Sequence, residues 1–395
     1  MVRKRPAHLA RSSRTRVVRQ VIGLGIGLVV LVAGVVVAVR HDDGKPAAHA
    51  VAGSSSSAAP TTAASTPASA SGPPGTADAT QTFTISAVGD TLLGKDGTGP
   101  PNPATYFSSV ESDLRGDAQI VFGNLEGTLS DVSGSKCDAD PSDCFAFQVP
   151  PRFAHYLAGA GFTVLNTANN HSHDFGEAGF EQTVDAIHGA GMVETGRHGQ
   201  VMVVNAGSIR VAFVGFAPYR ETASMLDLPA ARALVHQARQ QSDVVVAYMH
   251  AGAEGTDAQH VTGQEETYVG EDRGNAQEFA HLAIDEGASL VLGSGPHVLR
   301  GVEFYKGHLI AYSLGNFAGY SNFNTSGVQS NSAILHVTLN GAGEYLGGRI
   351  IPIALTAKNQ PMPGGSAVSM MARLSQEDFG SAAPHFASDG AITPP

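Results

Sequence analysis

The chain has 395 residues, 42% of them hydrophobic, and a formal charge of −11. It is long enough for one large domain or two ordinary ones, and too apolar to be disordered throughout. Residues 1–40 hold eight Lys and Arg and no acid, which leaves 16 bases against 35 acids in the remainder. Such an acidic surface excludes nucleic acid as a partner, because it does not attract a polyanion.

In chain order, a basic segment (1–20) precedes VIGLGIGLVVLVAGVVVAV, Val21 to Val39, which carries no charge. As a helix this run spans roughly 28 Å, close to the ~30 Å hydrocarbon core of a bilayer. Seven Lys and Arg lie in residues 1–19, while Arg40 and Lys45 beyond the run are offset by Asp42 and Asp43. The run therefore reads as one transmembrane helix with a cytoplasmic N-terminus, leaving the bulk of the chain outside the membrane. A cleaved leader is the alternative. Ala48-His49-Ala50 resembles a cleavage site, but it lies far from a run already long for a leader's apolar core. Residues 40–81, rich in Ala, Ser, Thr and Pro, have almost nothing to bury and read as a disordered tether of roughly 35 Å.

The folded domain is expected over 82–374, followed by a flexible tail (375–395). Apolar runs predict strands at Thr82–Val88, Ala118–Phe122, Phe162–Ala168, Arg210–Phe216, Asp243–Met249, Ser289–Leu292 and His308–Ser313. Helical periodicity lies between several of them, as in Gly176–Gly191 and Asn275–Glu286. Buried strands alternating with helices predict an α/β domain. Cys137 and Cys144 are the only cysteines. Outside a membrane they are expected to pair, closing a short loop that stabilises by roughly 2.5 kcal/mol.

The residues just past the predicted strands are of one chemical kind: Asp90, Asn124 and Glu126, Asn170 and His171, His250, and His297. Parallel strands bring their C-terminal ends to one edge, so these residues are expected to converge. Oxygen and imidazole donors without thiolate suit Mn, Fe, Zn or Mg. An ion held there would polarise a phosphoryl oxygen, with a nearby histidine as proton donor. No GxSxG elbow occurs, which sets a serine hydrolase aside.

The segments SAVGDTLLG, GNLEGTLS, TANNHSHDFGEAGF, YMHAGAE and GSGPHVLRGVEFYKGHLIAYSLGNF occur in this order between Phe83 and Phe317. In them the chain resembles the CapA family of poly-γ-glutamate capsule biosynthesis proteins, within the calcineurin-like metallophosphoesterase superfamily. The resemblance implies a four-layer α-β-β-α sandwich of metallophosphoesterase type, here preceded by the transmembrane helix. It also implies an extracytoplasmic protein of the cell membrane that acts on an acidic envelope polymer or its precursor, together with a membrane polymer-synthase complex. By the same resemblance Asp90, Asn124, Glu126, Asn170, His250 and His297 are metal ligands and His171 is the proton donor. Asp174 would orient His171, and Glu254 would orient His250 from behind. One departure stands out. The family's GxHPH is here Gly293-Ser294-Gly295-Pro296-His297, so Gly295 replaces an expected histidine. One or two divalent ions are implied; the missing imidazole leaves open a single ion, or none tightly held. Two functions follow: a metal-dependent hydrolase of phosphoesterase type, or a non-catalytic accessory subunit that binds the polymer or its synthase.

Overall fold

The computed structural model describes residues 77–138 and 144–395. The expected membrane helix and the tether up to residue 76 lie outside them; among the described residues no helix is long and apolar enough to cross a membrane.

The apolar runs are strands buried on both faces, and their period of two divides them between two cores. In Ile209–Ala217 and Val244–His250, side chains Val211, Phe213, Val244, Val246 and Tyr248 point into one cluster. The alternate set, Ala212, Val214, Phe216, Val245, Ala247 and Met249, points into another. The first cluster also takes Phe83, Ile85, Ala87, Ile120 and Phe122 from a second sheet, so it is the core between the sheets. The second cluster is sealed by the helices Leu228–Gln241 and Ala276–Asp285 through Leu234, Val235, Phe279 and Ala283. On the far side, Val121, Leu125 and Leu165 meet Leu114, Leu157 and Ile187 of three further helices. The result is a mixed α/β structure of four layers, helices–sheet–sheet–helices. Each fully buried Val, Leu or Phe contributes about 1.5–3 kcal/mol of transfer free energy, which makes the inter-sheet core the main source of stability.

Among the described residues the larger sheet has ten strands. Its central order is Tyr345–Leu355, Asn331–Asn340, Thr82–Thr91, Ile120–Leu125, Val164–Asn166, Val193–Thr195, the last four parallel to one another. The seven-stranded sheet places Ile209–Ala217, Val244–His250, Leu290–Ser294 and His308–Ala311 side by side and parallel. Both parallel sets end at the same edge of the sandwich. Register there is specific: Asp90 pairs with Asn124 and with Asn316, Asn124 with Asn166, and His250 with Ser294.

Local chemistry sets the element ends. Asp227 and Asn275 cap their helices by accepting hydrogen bonds from Ala230 N (3.0 Å) and Glu278 N (3.2 Å). The helix expected at Asn275–Glu286 thus runs Ala276–Asp285, between cap residues.

The expected flexible tail is a correction. Residues 375–395 complete the helix Ala367–Phe379 and add the strands His385–Phe386 and Ala391–Thr393 to the larger sheet. Ile392 is buried opposite Gly348, and the buried Ser375 hydroxyl accepts from Val302 N at 2.7 Å. A handful of well-placed contacts orders a segment whose composition shows little periodicity.

Candidate metal centre

The site begins at the close of the strand Thr82–Thr91. A Cβ on Gly89 would lie 1.9 Å from the Gly315 carbonyl oxygen, so only glycine lets the two backbones approach there. That approach seats Asp90 N on Gly315 O at 2.9 Å and turns the Asp90 carboxylate, fully buried, between the two sheets. Its Oδ1 accepts from Asn124 Nδ2 at 2.8 Å and from the Ser294 hydroxyl of the other sheet, which Tyr248 OH joins in turn. Its Oδ2 lies 3.3 Å from Gly295 N and 3.2 Å from His297 Nδ1.

Asp90, Glu126 and His297 each offer a ligand atom within 4.8 Å of the others. His297 Nδ1 is 2.7 Å from Asn316 Oδ1, and its Nε2 is 3.6 Å from both Glu126 Oε1 and Glu254 Oε2. His250 stands beside the three, its Nε2 3.6 Å from Glu126 Oε1 and its Nδ1 3.8 Å from Asp90 Oδ1. His171 Nδ1 is 2.9 Å from Asp174 Oδ2, and the two rings His171 and Phe147 are 4.5 Å apart. A cleft of about 180 Å³ opens onto this cluster, lined by Glu126, His171, Glu254 and His297 and walled by Phe145, Phe147 and Phe323.

Two expected roles change. Asn124 does not present its carbonyl oxygen to the cluster: Oδ1 accepts from Asn166 Nδ2 at 2.7 Å and Asn169 Nδ2 at 3.0 Å, while Nδ2 serves Asp90. It is a hub that orients the aspartate, because its amide is saturated by neighbours that sequence order does not place. Glu254 contacts His297 rather than His250, and its other oxygen accepts from the buried Arg273 at 2.8 Å. Ser294, Asn316 and Asn169 join the site without having been singled out. Asn316 had a signal: it follows an apolar strand within SLGNF, as the other strand-end residues do.

The electrostatics show an excess of negative charge. Burial pushes the Asp90 carboxyl up, but the hydrogen bond and charge of His297, with help from His250 and Ser294, outweigh it and bring it down to about 2. Burial, then the Asp90 charge, push Glu126 well above the carboxylate range. Burial disfavours the charged form of His297, yet Glu126, Asp90 and Glu254 prevail and raise it to about 10. Glu126 and His297 therefore compete for a proton as a pair. Burial lowers His250 to about 3 against the pull of Asp90, and it lowers His171 against the pull of Asp174.

A family model described as bacterial capsule synthesis protein PGA_cap matches residues 84–321. The chain belongs to this capsule synthesis family. The PGA biosynthesis protein CapA of Bacillus subtilis (strain 168) is 27% identical over 286 residues, which cover 67% of this chain and 70% of that protein. The capsule biosynthesis protein CapA of Bacillus anthracis is 30% identical over 178 residues, 40% of each chain. A protein of Mycobacterium tuberculosis named a probable polyglutamine synthesis accessory protein is 26% identical, over 60% of this chain and 66% of its own. Among solved structures, a 5'-nucleotidase precursor from Thermus thermophilus aligns with a TM-score of 0.37 and 15% identity, over 75% of this chain and 59% of its own. The NAD nucleotidase of Haemophilus influenzae aligns with a TM-score of 0.37 and 10% identity, over 75% and 56%. This chain thus spans little more than half the length of those two structures.

In this member of the capsule synthesis family, the buried atoms themselves test the fit of a cation. Both oxygens of Glu126, His250 Nε2 and Asn170 Oδ1 are buried without a hydrogen-bond partner. Leaving such groups bare costs about 1–3 kcal/mol each, and a divalent ion is the partner their chemistry suits. The donors fit. Gly295, where a second family histidine is expected, has φ +114° and a Cβ position 3.0 Å from Ala251 N and 3.3 Å from His250 Cδ2. A side chain at that φ would be strained and would crowd Ala251, and neither His173, stacked on Phe180 at 4.3 Å, nor His260, 2.7 Å from Asp378, stands in for the missing histidine.

Proposed function

We propose that this capsule-family protein is a metal-dependent hydrolase of phosphoesterase type, acting outside the membrane on an envelope polymer of the poly-γ-glutamate kind or on its precursor. The observation that supports it most is the set of buried, unpartnered donors on Glu126, His250 and Asn170 beside the His171–Asp174 pair. Asp90, Glu126, His297 and His250 would hold one divalent ion, with Asn170 as a further donor. That ion supplies Lewis-acid polarisation of a phosphoryl or carbonyl oxygen.

The remaining chemistry belongs to the chain. Asp174 accepts the Nδ1 proton of His171, which fixes the ring's tautomer and directs Nε2 to the cleft that His171 lines. From there His171 takes a proton from an attacking group or returns one to a leaving group. Asn316 and Asp90 hold His297 through Nδ1, so that its Nε2 faces Glu126 and Glu254. Phe145, Phe147 and Phe323 give the cleft an apolar wall. Within the same reading, residues 21–39 anchor the protein to the cell membrane beside a polymer synthase.

Gly295 favours a second reading, a binding or synthase-accessory subunit built on a reduced centre. Metal analysis of the purified protein, with turnover of a nitrophenyl phosphodiester by wild type, Asn170→Ala and His297→Ala, separates the two. The hydrolase reading expects one bound divalent ion and chelator-sensitive turnover lost in both variants. Absence of the ion, together with normal polymer output in cells carrying either variant, leaves only the accessory role.

A further inference from the structure

The segment around the disulfide does more than close a loop. Cys137 and Cys144 are joined, and the residues flanking the bridge on both sides grip one buried carboxylate, Asp174. On the first side, Lys136 Nζ is 2.7 Å from Asp174 Oδ1 and donates to Asn170 O at 3.0 Å, while Lys136 N donates to Asp174 O at 2.8 Å. On the other side, Phe147 N donates to Asp174 Oδ2 at 2.7 Å, and the Phe147 ring packs on the His171 ring. The residues gripped flank His171: Asn170 precedes it in the chain, and Asp174 holds its Nδ1.

We infer that Lys136 is a positioning residue for His171 and Asn170, acting through Asp174, and that the Cys137–Cys144 disulfide holds Lys136 and Phe147 together around that carboxylate. Without Lys136, one Asp174 oxygen keeps only its bond to His171, and the Asn170 carbonyl loses its donor. Charged partners that orient a histidine from behind a metal or catalytic centre change activity about 10–100-fold when removed. The disulfide contributes here as a clamp with a defined load, beyond the loop-closure entropy any bridge of this length would supply. The catalytic consequence rests on the hydrolase reading; the positioning does not, and the two are measured separately.

The test uses the purified full chain as wild type, Lys136→Met, Lys136→Arg and the double variant Cys137→Ser/Cys144→Ser. The hydrogen-bonded Nδ1 proton of His171 is followed by NMR, and amide exchange by mass spectrometry. Positioning predicts that Lys136→Met and the double serine variant broaden or lose the His171 Nδ1 proton and speed exchange at 170–176 at least tenfold. Exchange in the core strand Val244–His250 should stay as in wild type, and Lys136→Arg should restore both readouts. Where wild type hydrolyses the nitrophenyl phosphodiester, kcat should fall tenfold or more in the two disrupted variants with KM changed less than threefold. If Lys136→Met leaves the Nδ1 proton and the loop exchange at wild-type values, the inference is overturned. Global loss of core protection in Lys136→Arg overturns it too, since a conservative cation should satisfy a positioning role. Absence of turnover in wild type counts against the hydrolase reading alone.

Discussion

Two halves of the candidate centre are built from similar side chains and treated oppositely. Asn124 and Asn169 are saturated: Asn166 and Asn169 feed the Asn124 oxygen, its nitrogen feeds Asp90, and Asn169 also binds Leu125 O and receives His171 N, so that only Asn166 Oδ1 of this network lacks a hydrogen bond. Both oxygens of Glu126, His250 Nε2 and Asn170 Oδ1 are just as buried and have no hydrogen-bond partner. Since buried polar groups in folded proteins are overwhelmingly paired, the contrast separates scaffold from ligand site. The saturated half fixes positions, and the bare half keeps donor atoms free of hydrogen bonds.

The largest effect is expected where the halves meet. Asp90→Ala removes the acceptor of Asn124, Ser294 and His297 at once, and breaking such a buried charged network costs about 3–5 kcal/mol. Urea unfolding should show that loss, and metal analysis should find no ion. Within the saturated half, Asn169→Ala strands the His171 amide and half of the Asn124 oxygen; a loss of about 1–3 kcal/mol is expected, with or without metal.

Acidity probes both halves of the metal-free protein. His171 and His250 have folded-state pKa values below the ordinary 6.5, His250 at about 3. Their contribution is fully present above pH 6.5 and is lost as pH falls toward the folded values, because the unfolded chain then binds protons that the folded chain refuses. His297, raised to about 10, works the other way: its contribution is present below pH 6.5 and is lost as pH rises through 10. Thermal unfolding without metal should therefore be most stable near neutrality. His297→Ala should shift the alkaline decline, which the Glu126–His297 pair carries together, and keep the acid one.

The smallest expected effect is the most diagnostic. Glu126→Gln replaces a carboxyl whose charged form burial and Asp90 already disfavour, so the metal-free variant should match wild type within about 1 kcal/mol or exceed it. Its affinity for a divalent ion should fall at least tenfold. A variant that is destabilised without metal would place Glu126 in the scaffold half and erase the distinction.

Much of this was legible in the sequence for one reason. Apolar runs that stop at Asp, Glu, Asn or His mark strands whose ends share an edge, and Asp90, Glu126, His250 and His297 meet there. Side-chain direction was not legible. Asn124 and Glu126 are two residues apart on one strand end, yet one turns into the amide network and the other into the bare half. Glu254 lies four residues after His250 but serves His297, because proximity in chain order says nothing about which neighbour a loop brings across. Residues 375–395 escaped notice because their order depends on single contacts such as Ile392 against the sheet edge, not on a repeating pattern.

Gly295 carries a consequence for redesign. A histidine written into that codon would meet the Ala251 backbone and a φ of +114° before it could meet an ion. A side chain there is therefore strained before it can act as a ligand. The loop around residue 295 would have to shift by a few tenths of an ångström to take any side chain, so a Gly295→His variant is expected to lose stability before it gains a donor.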